Sequence, residues 1–237
     1  MTFVRICVLL CLTTLLAACS RPVHVVEKEA FSRMASQMTR ELQARKLLDS
    51  RGNYFAAFSL APQEGYGKIL FQRLSPDFML QSDAAHDVYL GENFAATVLP
   101  DSRVKHWPNG FSIDHATQKI TLHMTAIADW NGDGQDEWIV ACTVEPKRGG
   151  RSRTYYLLVP PPRSAVEKLR GTVAAVNECF GLACTLYVRD SKNIQRTAAD
   201  PLAPPTEVHD LTPGLQPVTE PPGAKKLPAS GPAERPL

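Results

Sequence analysis

Asp129-Trp130-Asn131-Gly132-Asp133-Gly134-Gln135-Asp136-Glu137-Trp138 sets oxygen-bearing residues at alternate positions between two apolar stretches. With Asp129 as position one, Asn131 and Asp133 fall at three and five, and Glu137 at nine. Gln135, at seven, offers its backbone carbonyl. Alternate spacing turns these oxygens toward one centre, and Gly132 and Gly134 supply the backbone angles that such a wrap requires. Hard oxygen donors suit calcium, which takes about six to eight of them. The stretch has no His or Cys, so zinc and copper are not expected there. A bound cation would be structural, neutralising Asp129, Asp133, Asp136 and Glu137, which crowd together.

The flanks fix the local fold. From Lys119 to Ala128 the chain alternates, with Ile120, Leu122, Met124, Ala126 and Ala128 on one side and Thr121, His123 and Thr125 on the other. Period two reads as a half-buried strand. Further strands are expected over Glu137–Glu145 and Thr154–Val159, joined by short loops into an antiparallel meander. Pro160-Pro161-Pro162 ends it, because proline cannot donate to a ladder. Thr172–Val176 and Ala183–Arg189 read as two more strands, with a helical turn over Ser164–Leu169 before them.

Upstream, Phe31, Met34, Met38 and Leu42 fall at helical spacing, so one amphipathic helix is expected from Glu27 to Ser50. Gly67–Leu74 reads as a strand, Phe78–Gln81 and Asp87–Leu90 as shorter ones, and Phe111–Asp114 as a short strand after a turn at Asn109-Gly110. The expected class is α+β: an N-terminal amphipathic helix packed on a mostly antiparallel sheet, over residues 27–196. From 197 to 237 the composition turns to proline, with ten of the chain's nineteen. That segment cannot bury enough apolar surface to offset its ordering entropy, and a disordered tail is expected.

The acidic stretch resembles the Asp-x-Asn-Gly-Asp-Gly-x-x-Asp/Glu loop of FG-GAP and VCBS repeats, with Asp129, Asn131, Asp133 and Glu137 matching residue by residue. In that family the calcium loop joins two strands, as the flanks here require. The motif occurs once, so the resemblance covers the hairpin and not a propeller. An EF-hand is excluded: position twelve is Val140, where a bidentate Glu is needed.

The N-terminus gives an address. Met1–Arg5 carries one positive charge, Ile6–Leu16 is apolar, and Leu16-Ala17-Ala18-Cys19 follows. Such an apolar run is too short for a permanent span of about 30 Å and reads as a signal peptide over 1–18. The four-residue stretch resembles the lipobox of bacterial lipoproteins. That resemblance implies acylation at Cys19, a short tether over 19–26 and attachment to the bilayer of the cell envelope. Ser20, in place of Asp, implies the outer membrane if the host is Gram-negative.

Cys142, Cys179 and Cys184 are left for the exported domain. Cys179 and Cys184 flank Gly181 and are spaced to close a small loop, but spacing alone does not establish the geometry of a bridge. Cys142 lies in the apolar run Trp138–Cys142 and reads as a buried, inert thiol.

A formal net charge of +2 leaves no nucleic-acid footprint. Lys147, Arg148, Arg151 and Arg153 surround Gly149-Gly150 as a basic hairpin tip. His106, His115 and His123 lie close in sequence, but no nucleophile elbow, His-x-x-x-His pair or phosphate loop accompanies them. His123 reads as a surface residue. The expected function is a binding or structural component of the envelope, with an envelope protein as a candidate partner. The competing readings are an envelope hydrolase using His115 or His123, and an assembly factor that makes contact through its tail.

Overall fold

In chain order the elements are β1 (Pro22–Val25), α1 (Lys28–Gln37), α2 (Thr39–Ala44), β2 (Phe55–Ala56), α3 (Tyr66–Arg73), a 3-10 turn (Phe94–Thr97), β3 (Arg103–Trp107), β4 (Gly110–Asp114), β5 (Gln118–Ala128), β6 (Glu137–Pro146), β7 (Arg151–Val159), β8 (Thr172–Phe180), β9 (Ala183–Arg189) and β10 (Leu215–Pro217). They come from a computed structural model that describes residues 20–80, 83, 92–189 and 215–217. The signal segment 1–18, Cys19 and the Asp87–Leu90 strand candidate lie outside the described residues. So does the tail 197–237, apart from 215–217.

The chain is β-rich, with few helices and one mixed sheet. Consecutive strands β5 to β9 pair antiparallel, and β10 adds to the outer edge of β9. Two strands share the other edge of β5. β4 pairs with Lys119–His123, and β1 pairs with Ala126–Ala128. β3 lies outside β4, and β2 runs parallel to β1.

Between those two partners β5 bulges at Thr125, where its register with β6 shifts. A bulge reverses the side-chain parity beyond it. Ile120, Leu122 and Met124 therefore share a cluster with Ile127, while Ala126 and Ala128 turn to the opposite face. The uninterrupted alternation expected through Ala128 is corrected at this residue. Thr125 is fully buried rather than aligned with Thr121 and His123, and its hydroxyl donates to the Ile139 carbonyl.

The bulge also fixes where β1 ends. The Thr125 carbonyl accepts from the amides of Val26 (2.9 Å) and Glu27 (3.1 Å), which lifts the chain off the sheet into α1.

Each face of the sheet has its own core. One, with Leu122, Met124, Val140, Tyr155 and Val176, is covered by Ile69, Leu70, Leu74 and Phe94 from α3 and the following turns. The other, with Ala128, Ile139, Tyr156 and Leu158, is covered by Phe31, Met34, Met38 and Leu42. These four residues do not lie on one helix. The expected helix over Glu27–Ser50 breaks at Met38 into α1 and α2, and α2 ends at Ala44. Thr39 and Ser36 donate their hydroxyls to the carbonyls of Ala35 (2.6 Å) and Arg33 (2.8 Å), back-bonding that bends helices.

Three further expectations are corrected. Gly67–Leu74 belongs to a helix, α3, with Tyr66, Ile69 and Leu70 buried at helical spacing. A short apolar run such as Ile69-Leu70-Phe71 does not separate strand from helix. Gly67 is required there, since a Cβ would lie 2.3 Å from the Gly110 carbonyl oxygen. Phe78–Leu80 lie in a turn rather than a strand, and Ser164–Leu169 form turns without a helix. Within the tail segment, Leu215–Pro217 pair with Tyr187–Arg189.

Candidate functional site

The acidic loop is anchored from below by Trp130, which is buried in the second core, with the Arg45 guanidinium 4.5 Å over its ring. Above it the side chains wind around the loop's own amides. Asp129 accepts from the amides of Gly132 (2.6 Å), Asp133 (3.1 Å) and Gly134 (3.2 Å). Asn131 accepts from Asp133 (2.9 Å), and Asp133 accepts from Gln135 (2.8 Å). Glu137 closes the mouth by accepting from the Trp130 amide at 2.8 Å.

The all-oxygen set is of the kind a hard cation takes, although Asp129 Oδ1 already accepts from two amides, Gly132 and Asp133. Burial pushes the Glu137 carboxyl up; the Trp130 amide opposes this, and Asp133, Asp129 and Asp136 reinforce it. Two groups compete for the same oxygens. The Asn131 amide donates to Asp133 at 3.0 Å, and the Arg21 guanidinium lies 3.9 Å from Asp129. Among the described residues, no three His, Cys, Asp or Glu side chains stand together as a metal cage.

The three histidines go to three places. His106 packs edge-on to Phe71 at 4.6 Å. His115 is buried, and its Nδ1 shares a 2.7 Å hydrogen bond with the Ser102 hydroxyl. Burial lowers its pKa, against the pull of Asp101 and Asp114. His123 is half-buried rather than on the open surface. Its Nδ1 lies 2.9 Å from a Glu27 carboxylate oxygen, and its ring is tilted against Trp107.

The basic tip is also divided. Arg153 is mostly buried, paired with Asp83 at 2.5 Å and Glu178 at 2.7 Å, while Tyr155 donates to the other Asp83 oxygen. Lys147 pairs with Asp114, and Arg151 with Glu178. Cys179 and Cys184 face each other across β8 and β9 and are joined by a disulfide. Cys142 is a buried free thiol, and burial raises its pKa.

Side chains that the motif reading passed over line a cleft of about 330 Å³ on the second face of the sheet. α1 crosses three strands, from Glu27 over β5 to Gln37, whose side-chain oxygen accepts from Tyr156 on β7. The cleft lies beside it, lined on the helix side by Ala30, Arg33 and Gln37. Thr121, Thr143 and Thr154 stand in register across β5, β6 and β7 and form the floor. Thr143 and Thr154 bond each other at 3.0 Å, whereas the buried Thr121 hydroxyl has no partner among the described residues. Arg33, Lys119 and Glu145 stand exposed around the floor, with no ion pair or side-chain hydrogen bond among the described residues. Burial pushes the Tyr156 hydroxyl up to about 12, with the Arg33 guanidinium opposing. The legible signal was the parity of Lys119, Thr121 and His123 on β5, matched by Thr143 and Glu145 on β6.

Compared with known proteins, the chain matches no family model, no curated protein and no solved structure, so its site is argued from its own geometry.

Proposed function

We propose that this chain is a lipid-anchored component of a bacterial cell envelope that works by binding, with the cleft beside α1 as its binding face. The observation that carries the reading is the set of unengaged polar groups there. Among the described residues, the exposed Arg33, Lys119 and Glu145 make no ion pair or side-chain hydrogen bond, and the buried Thr121 hydroxyl has no partner. An unsatisfied buried hydroxyl costs about 1–3 kcal/mol, which an occupant would recover. Concave sites with a few convergent polar groups are where small molecules bind.

The anchor rests on the lipobox resemblance at Leu16–Cys19. Calcium, as a structural ion, rests on Asp129, Asn131, Asp133, Glu137 and the Gln135 carbonyl. Its role would be to stiffen the β5–β6 turn, whose four acidic side chains outnumber the guanidinium groups of Arg21 and Arg45 beside it.

A second reading, catalysis, is favoured by one observation: the Glu27–His123 pair lies at the edge of this cleft. A carboxylate that orients an imidazole is one half of a general base. Among the described residues no hydroxyl or thiol bonds the other ring nitrogen, and a nucleophile–base contact is what this chemistry needs.

The binding reading is tested by native mass spectrometry of the domain after incubation with the small-molecule fraction of its host's envelope. An adduct on the native chain that is lost in Thr143→Trp, which fills the cleft, is the expected result. No adduct, or an equal adduct on the filled variant, would overturn it. The anchor is tested separately by radiolabelled palmitate, which should label the native chain and not Cys19→Ala.

A further inference from the structure

We propose that the cleft takes a small hydroxylated carboxylate, of the chemical class of the sugar acids. The inference rests on the reading of the cleft as a binding face and names its occupant. Among the described residues, the charged groups on the lining that make no ion pair or hydrogen bond are two exposed cations, Arg33 and Lys119, against one exposed carboxylate, Glu145, and Lys119 also faces Asp114 on β4. The balance favours an anion. Lys119 and Glu145 are direct cross-strand partners on β5 and β6, so their charges largely offset each other. That leaves Arg33, on the α1 wall, as the anion-binding group. A guanidinium fork matches a carboxylate in two parallel hydrogen bonds, which a lysine cannot reproduce.

The floor sets the rest of the ligand. Thr121, Thr143 and Thr154 stand in cross-strand register, with the Thr143 and Thr154 hydroxyls 3.0 Å apart in a mutual hydrogen bond and Thr121 next in the row. A hydroxyl both donates and accepts, so such a row suits a ligand that itself carries several hydroxyls. The free Thr121 hydroxyl is the first position on it. Glu145 and the Gln37 amide add an acceptor and a donor at the rim. The only apolar side chains on the lining, apart from the Tyr156 ring, are Ala30 and Ala141, which excludes a hydrocarbon occupant. The volume of about 330 Å³ is at the small end of the roughly 300–1,000 Å³ of ligand pockets, room for one sugar-sized unit.

The test uses residues 20–237, which contain every described element of the fold. Saturation-transfer NMR and competition titrations would be run with glucuronate, glucose and alanine as probes. Glucuronate is expected to bind, and glucose to bind at least about tenfold more weakly, having lost the charged hydrogen bonds. Arg33→Gln should cost glucuronate about tenfold or more with the melting temperature unchanged, and Thr143→Val a smaller factor. Equal binding of glucose and glucuronate would overturn the carboxylate requirement. Preference for alanine would overturn the hydroxyl requirement. No binding of any probe, or glucuronate binding indifferent to both Arg33→Gln and Lys119→Gln, would overturn the proposal as a whole. If glucuronate fails while the envelope extract still gives an adduct that Thr143→Trp removes, the ligand class falls and the binding reading stands.

Discussion

Glu27 and His123, ninety-six residues apart in the chain, meet at 2.9 Å where α1 leaves the sheet. The contact depends on the bulge at Thr125, whose carbonyl holds the Val26 and Glu27 amides. It ties the start of α1 to the strand that carries the cleft floor, so the wall and floor of the cleft share one fixed point. Glu27→Ala should therefore destabilise the domain by about 1 kcal/mol, the net value of one hydrogen bond, and Glu27→Gln by less. Urea denaturation measures both.

His115 sets an acid limit. Only 2% of its surface is exposed, and its Nε2 is buried without a partner among the described residues. Its folded pKa is lowered, chiefly by burial, so the unfolded chain takes up the proton first. Stability present above the ordinary histidine pKa of about 6.5 is lost as pH falls through the folded value. Melting temperature should begin to drop as pH falls below about 6.5 and go on dropping toward the lowered folded value. His115→Gln should flatten that slope.

Glu137 works in the opposite sense. Its folded pKa is raised, chiefly by burial, with Asp133, Asp129 and Asp136 adding to it. Its contribution is fully present below the ordinary carboxyl range of about 4.3 and lost as pH rises through the folded value. In chelator at neutral pH, Glu137→Gln should raise the melting temperature, by about 2–4 °C for each kcal/mol of strain relieved. The same substitution should remove most of the stabilisation that millimolar calcium gives the native chain. If calcium does not raise the native melting temperature, the ion has no place in the turn.

Arg153 reads in the sequence as part of a basic tip, yet it neutralises two acids, Asp83 and Glu178, beneath the surface. Removing one partner of a buried ion pair strands the other, at a cost of about 3–5 kcal/mol. Arg153→Ala should fall in that range by urea denaturation. Arg153→Lys should recover only part, because Nε and Nη1 serve two different carboxylates.

What was legible in the sequence was local. The alternation of β5 as far as Met124, the strands after it and the exposed turn between β5 and β6 follow from periodicity and turn chemistry. The bulge was not legible, because Thr125 fits the alternation and is displaced by the junction with β1. α3 was misread because Ile69-Leu70-Phe71 fits either period, and the close contact of Gly67 with Gly110 that requires a helix there is tertiary. The cleft was half legible. Its threonines have the right parity on each strand, but only the crossing of α1 over three strands turns them into a floor.

The central claim, that the domain binds through this cleft, is tested most directly by amide and methyl chemical-shift mapping. Labelled domain would be titrated with the small-molecule fraction of the host envelope. The account predicts shifts concentrated at Arg33, Thr121, Thr143, Thr154 and Tyr156, and absent from the turn at Asp129–Glu137. Shifts that avoid these residues, or an unchanged spectrum at saturating extract, would contradict it.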